Sequence, residues 1–152
     1  MRTIGIRVEP KKVTFVIYDA DAGEVINIEG IKIPKALDVP EALKYIRSNL
    51  LDVIVEYEVQ RAGIRVTEPS AQKPNILRIQ IEGVIQEALA SSDVEAYFRG
   101  QISSLSSRLN IKRKDLKKYL EGELVLRNIE GWSDLSTVER EAVCTAIGAC
   151  DA

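Results

Sequence analysis

The sequence predicts an α/β fold of one mixed five-stranded sheet, three antiparallel strands followed by parallel ones, with helices on both faces. Three observations predict it. Three β-branched runs lie within the first 33 residues, joined by connections short enough only for hairpins. Helical spacing and apolar strand runs then alternate, the pattern of crossover connections in a layered sheet. Two helix starts are also marked, Asp38-x-x-Glu41 and Ser136-x-x-Glu139, each with the acceptor and the returning acid of a capping box.

Taken in order, Thr3–Val8 alternates as a first strand and Pro10-Lys11-Lys12 turns it. Val13–Tyr18 is a dense β-branched and aromatic second strand, and Asp19-Ala-Asp-Ala-Gly23 has turn chemistry. Val25–Ile33 reads as a third strand that stops at Pro34. Ala42, Leu43, Ile46 and Leu50 then follow Asp38 at helical spacing. The apolar start of Asp52–Val59 predicts a buried fourth strand, parallel to the first because a crossover leads to it. Residues 60–74, with Gly63, Pro69 and Pro74, read as a long loop. Asn75 caps a helix with Ile76, Ile79, Gly83, Val84 and Ala88 on one face. Val94–Phe98 is a short fifth strand, followed by helical pieces near Ile102–Leu109 and Lys112–Leu120 and by the last helix from Ser136.

Composition narrows the function. At 152 residues, with 45% hydrophobic and 29% charged, the chain suits one globular domain spanning 1–152. A net charge of −2 gives no whole-molecule attraction to nucleic acid, so phosphate binding would need a local patch. With no histidine, the commonest general base and transition-metal ligand are both missing. Cys144 and Cys150 would stand about 9 Å apart on one helix, too far for a disulfide, and read as core residues or free thiols. No apolar run approaches the ~20 residues of a membrane span, and no apolar leader opens the chain, so a cytoplasmic protein without a membrane partner is the expectation.

Several local sequences, in order, resemble the RuvC-like branch of the RNase H-like superfamily. Ile4-Gly-Ile-Arg7 resembles its first strand, usually Ile-Gly-Ile-Asp, and Val53-Ile-Val-Glu56 its fourth, which ends in a catalytic Glu. Gln80-Ile-Glu-Gly-Val-Ile-Gln-Glu-Ala88 resembles the next helix, Val94-Glu-Ala-Tyr97 the fifth strand, and Glu139-Arg-Glu-Ala-Val-Cys-Thr-Ala146 the last helix. Active members hold two divalent ions with four acids on the first strand, fourth strand and last helix; the ions activate water for phosphodiester cleavage. Mg²⁺ or Mn²⁺ would be the cofactor of such a site.

The departures matter more than the matches. Arg7 stands where the resemblance places the first acid, and Val138 and Glu141 stand at the two acid positions of the last helix. A guanidinium stays charged at any working pH and repels a dication. The expected consequence is pairing of Arg7 with Glu56 or Glu141, and no bound metal. The candidate acidic site, vestigial or rebuilt, is Glu56 and Glu141 with Glu58 and Glu9, the last two sharing a strand face with Glu56 and Arg7 respectively.

A candidate nucleic-acid surface combines Arg61, Arg65 and Lys73 of the long loop with Lys112, Arg113, Lys114, Lys117 and Lys118. The plainer reading of the 112–118 run, and the favoured one, is an ordinary solvated amphipathic helix, given Leu116, Tyr119 and Leu120 on one edge. Trp132 is expected to anchor the last helix rather than stack on a base. The favoured reading is a catalytically inactive RuvC-like module that binds a protein partner, a second copy in a homodimer, or nucleic acid. The alternative is a metal-dependent nuclease with the rebuilt glutamate site. A nucleotide-binding role fits less well, because the first turn, Glu9-Pro-Lys-Lys-Val13, lacks the glycines of a phosphate loop.

Overall fold

The computed structural model describes residues 1–152, and its sheet has the strand order β3-β2-β1-β4-β5. Strands β1 (Arg2–Val8), β2 (Lys12–Asp19) and β3 (Glu24–Lys32) form the antiparallel meander; β4 (Arg61–Arg65) and β5 (Ala96–Gly100) add in parallel beside β1. Alternation along β1 decides which side chains meet which layer. Ile4, Ile6 and Val8 enter the core under helices α1 (Val39–Glu56) and α2 (Ile76–Ser91). Thr3, Gly5 and Arg7 face α5 (Thr137–Gly148) on the other side. That second layer also holds α3 (Ile102–Leu109) and α4 (Arg113–Leu120).

Both capping boxes form. Asp38 accepts from the Glu41 backbone at 2.9 Å and Ser136 from the Glu139 backbone at 3.1 Å, each with the return bond in place. Helix α1 is longer than expected. Ala42, Ile46, Leu50 and Ile54 are buried as one ladder at i, i+4 spacing, so Val53-Ile-Val-Glu56 is its last turn and not a strand. The burial of each Ile or Leu contributes about 1.5–3 kcal/mol, enough to override the strand preference of the β-branched residues. The fourth strand lies instead at Arg61-Ala-Gly-Ile-Arg65, inside the stretch expected to be loop.

Two glycines let layers approach. A Cβ on Gly5 would lie 2.1 Å from the Ala142 carbonyl oxygen, so α5 rests directly on β1. A Cβ on Gly63 would lie 2.4 Å from the Phe98 ring. No helix is long and apolar enough to cross a membrane.

Candidate functional site

The ends of β1, β2 and β4 carry a polar rung beneath the first turns of α5. Strand register places Thr14 beside Arg7 and Arg7 beside Arg65. Above them hangs Glu141, one turn into α5, its helix start fixed by Ser136. Arg7 Nε donates to Glu141 Oε2 at 2.8 Å, and Arg7 Nη1 donates to the Arg65 carbonyl at 3.3 Å. Arg65 Nε lies 3.5 Å from the other Glu141 oxygen, and its Nη2 lies 3.2 Å from Glu68. Glu68 also accepts the Ile102 backbone N–H, fixing the start of α3.

Burial makes these contacts matter. The Arg7, Glu141 and Arg65 side chains are 11%, 10% and 5% exposed, so solvent screens them little. Burial first, and the Arg7 charge second, pull the Arg65 guanidinium below its usual range, while Glu141 and Glu68 oppose that shift. Farther out, Glu82 is buried in α2 and accepts from both the backbone and the hydroxyl of Thr67, with Arg78 at 3.3 Å. The Thr14 hydroxyl is buried on the same rung without a partner.

This donor set does not fit two divalent ions. Hard cations need several carboxylate or carbonyl oxygens. Here both Glu141 oxygens face guanidiniums, and Glu68 is taken by Arg65 and Ile102. A dication ~4 Å from one guanidinium would meet about 8 kcal/mol of repulsion at an effective dielectric of ~20. No group of three or more His, Cys, Asp or Glu side chains is placed to hold a metal ion.

The structure relocates most of the expected acids. Glu56 is exposed at the end of α1, because the helix continues through it. Glu58 lies in the following turn at φ 53°, beside Met1, Arg2 and Gln60 at the opposite end of β1 from Arg7. Glu9 lies in the β1–β2 turn, 4.0 Å from Lys12. Of the four, Glu141 alone joins Arg7. The fourth-strand residue beside Arg7 is Arg65, a second cation.

The basic residues divide as well. Arg61 and Arg65 are strand residues turned inward: Arg61 donates to the Cys150 carbonyl, and Arg65 is buried. Lys73 is exposed in the connection before α2. Lys112, Arg113, Lys114, Lys117 and Lys118 are exposed on and just before α4, whose Leu116 and Leu120 are buried. Trp132 is buried and donates its indole N–H to the Tyr119 carbonyl at 2.9 Å, an anchor between α4 and α5. Both cysteines are free, and burial pushes the Cys144 thiol up to about 12.

Sequence reasoning missed Arg65, Glu68, Glu82 and Arg140 as organising residues. A signal for the first existed: Arg61, Gly63 and Arg65 alternate with Ala62, Ile64 and Val66, the period of a strand. No local motif marks the others: Glu68 and Glu82 each have a cation three or four residues away, but their bonds to Ile102 and Thr67, and that of Arg140 to Leu120, form only on folding.

No protein-family model matches the sequence, and no curated protein does. Among solved structures, the chain is similar to Thermus thermophilus RuvC, with a TM-score of 0.70 at 13% identity over 97% of this chain and 92% of that one. It is similar to T. thermophilus RuvC in complex with Holliday junction substrate, with a TM-score of 0.67 at 14% identity and the same two coverages, 97% and 92%. The yeast mitochondrial Holliday junction resolvase Ydc2 matches with a TM-score of 0.50 at 12% identity, over 97% of this chain and 78% of that one. The chain has the RuvC-type RNase H-like fold.

Proposed function

We propose that this chain is a single RuvC-fold domain that binds nucleic acid without metal-dependent cleavage of it. The observation that carries the reading is the Arg7–Glu141–Arg65 cluster, which fills the strand ends with cations instead of metal-binding acids. The nucleic-acid half rests on two supports. The similar T. thermophilus protein is one whose structure includes a Holliday junction substrate. The exposed cations of α4 supply the local basic patch that a chain of net charge −2 needs. Self-association belongs to the same reading. Ile76 and Ile79 are 74% and 43% exposed on α2, and Gly83 has open space above it for a second helix.

The test is a gel experiment with labelled four-way junction and single-stranded DNA in Mg²⁺, Mn²⁺ or EDTA. The expected result is a shifted band without cleavage, the same in EDTA as in metal. The shift weakens with salt and with Lys114→Glu/Lys118→Glu. Metal-dependent cleavage that Glu141→Gln abolishes would overturn the reading in favour of a nuclease. No shift at all would remove nucleic acid as the ligand.

A further inference from the structure

A cavity lies away from the rung, where the β1–β2 turn, the end of β3 and the start of α1 meet. Its volume is about 560 Å³, within the ordinary range for ligand sites. The floor is aliphatic: Ile33, Leu37, Val39, Ala42 and Leu77 line it, and no aromatic residue does. The rim is basic, with Lys11, Lys12, Lys32 and Lys35 contributed by three different segments. Lys12 has a weak partner in Glu9 at 4.0 Å, whereas Lys11, Lys32 and Lys35 have no ion pair. The single rim carboxylate, Asp38, is occupied in capping α1.

We infer that this cavity is a docking site for an acidic, leucine-rich segment of a partner protein. Charge complementarity selects the occupant. Lysines spread around the mouth match several carboxylates along one chain segment. The aliphatic floor matches branched side chains carried between those acids. Nucleic acid would account for the lysines but not for the floor, which offers no aromatic surface for a base to stack on. The approach is also suited to an extended peptide. Strand β3, which runs into the cavity, is an edge of the sheet with no strand on its outer side. The cavity lies on the α1–α2 side of the sheet and the α4 lysines on the other, so the two surfaces are spatially separate.

The experiment is fluorescence anisotropy of a short labelled peptide alternating glutamate with leucine, titrated with the intact chain. Saturable binding is expected. Lys11→Glu/Lys35→Glu, both at exposed positions, should weaken it at least about tenfold. Val39→Asp should do the same while leaving the fold intact, because Val39 is 41% exposed and an acid in the first turn suits the helix dipole. Thermal melts of each variant confirm folding. Equal binding of a peptide with serine for leucine would overturn the proposal by removing the floor from it. Equal binding of a lysine-for-glutamate peptide would overturn it by removing the rim. Displacement of the peptide by a single-stranded oligonucleotide would reassign the lysines to phosphate contacts.

Discussion

Arg7 and Glu141, separated by 134 residues of chain, meet at 2.8 Å between the end of β1 and the first turns of α5. The same carboxylate faces Arg65, so one anion stands between a buried guanidinium and a half-buried one. The arrangement is stable only as a set. Truncating Glu141 would leave two cations with little water and fewer acceptors. Glu141→Ala should therefore cost about 3–5 kcal/mol, the range for breaking a buried pair from one side. Urea unfolding measures it, and a loss below about 1 kcal/mol would show that solvent already screens the cluster.

The same cluster sets the response to metal. The melting temperature of the native chain should not change with Mg²⁺, Mn²⁺ or EDTA. Arg7→Asp alone should change little, because Arg65 stays beside the new carboxylate. Arg7→Asp/Arg65→Glu removes both cations and adds two acids to Glu141. That double variant should gain several degrees with Mn²⁺, since a ligand bound only by the native state stabilises it. Manganese binding by Arg7→Asp as tight as by the double variant would show that Arg65 is no barrier.

Two glycine substitutions should move stability in opposite directions. At Gly5 an added methyl would sit 2.1 Å from the Ala142 carbonyl oxygen and 2.2 Å from the Ala146 nitrogen, both backbone atoms that cannot step aside. Gly5→Ala should cost about 3 kcal/mol or more, the upper end for overpacking. Gly83 lies exposed within α2 with nothing within 4 Å of its added Cβ, so Gly83→Ala should stabilise by about 0.5–1 kcal/mol. Paired denaturant midpoints with unchanged slopes decide both, and equal effects would refute the close α5–β1 contact.

Stability should vary little between about pH 5 and 7, because the chain has no histidine. Below that window the Asp19 carboxyl matters. The Ala22 backbone N–H, seconded by that of Asp21, holds it below its ordinary range. Glu87 is likewise lowered, first by its bond from Arg47. A depressed acid contributes its stability above its unfolded value and loses it as pH falls through the folded one. The Met1 amine is raised, first by its hydrogen bond to Asp21; its contribution is complete below the ordinary amine value and disappears as pH rises through the raised one. Asp21→Ala should flatten the alkaline limb while leaving most of the acid limb, as a pH series of urea midpoints would show.

What the sequence made legible was local. The Asp38/Glu41 and Ser136/Glu139 boxes need only residues three apart, and both formed. The fourth strand was misplaced for a physical reason. Val53-Ile-Val has the composition of a strand, and only the packing of Ile54 beneath Leu50 makes it helix. Arg61 and Arg65 look like loop residues because the partners that hold them inward, the Cys150 carbonyl and Glu141, lie far along the chain; only Glu68, three residues from Arg65, is near. The unusual charge of Arg7 was visible in the first strand, and its pairing with Glu141 was one of two expected. Its neighbour Arg65 was not visible, because strand register is a tertiary property.

Trp132 and Arg140 provide the last test, between an anchoring and a base-stacking role for the one tryptophan. Arg140 is buried without a carboxylate partner and donates instead to the carbonyls of Trp132, Leu120 and Ser133 at 3.1, 3.0 and 2.9 Å. Those bonds tie the end of α4 and the turn at Trp132 to α5. Arg140→Ala removes three hydrogen bonds, and at ~1 kcal/mol for each the loss should be roughly 3 kcal/mol. Tryptophan emission reports it directly, since Trp132 is 1% exposed and its spectrum should shift to the red only on unfolding. Added DNA should leave the native emission and its acrylamide quenching unchanged. A DNA-dependent change in either, with the fold intact, would move Trp132 from the core to the nucleic-acid surface.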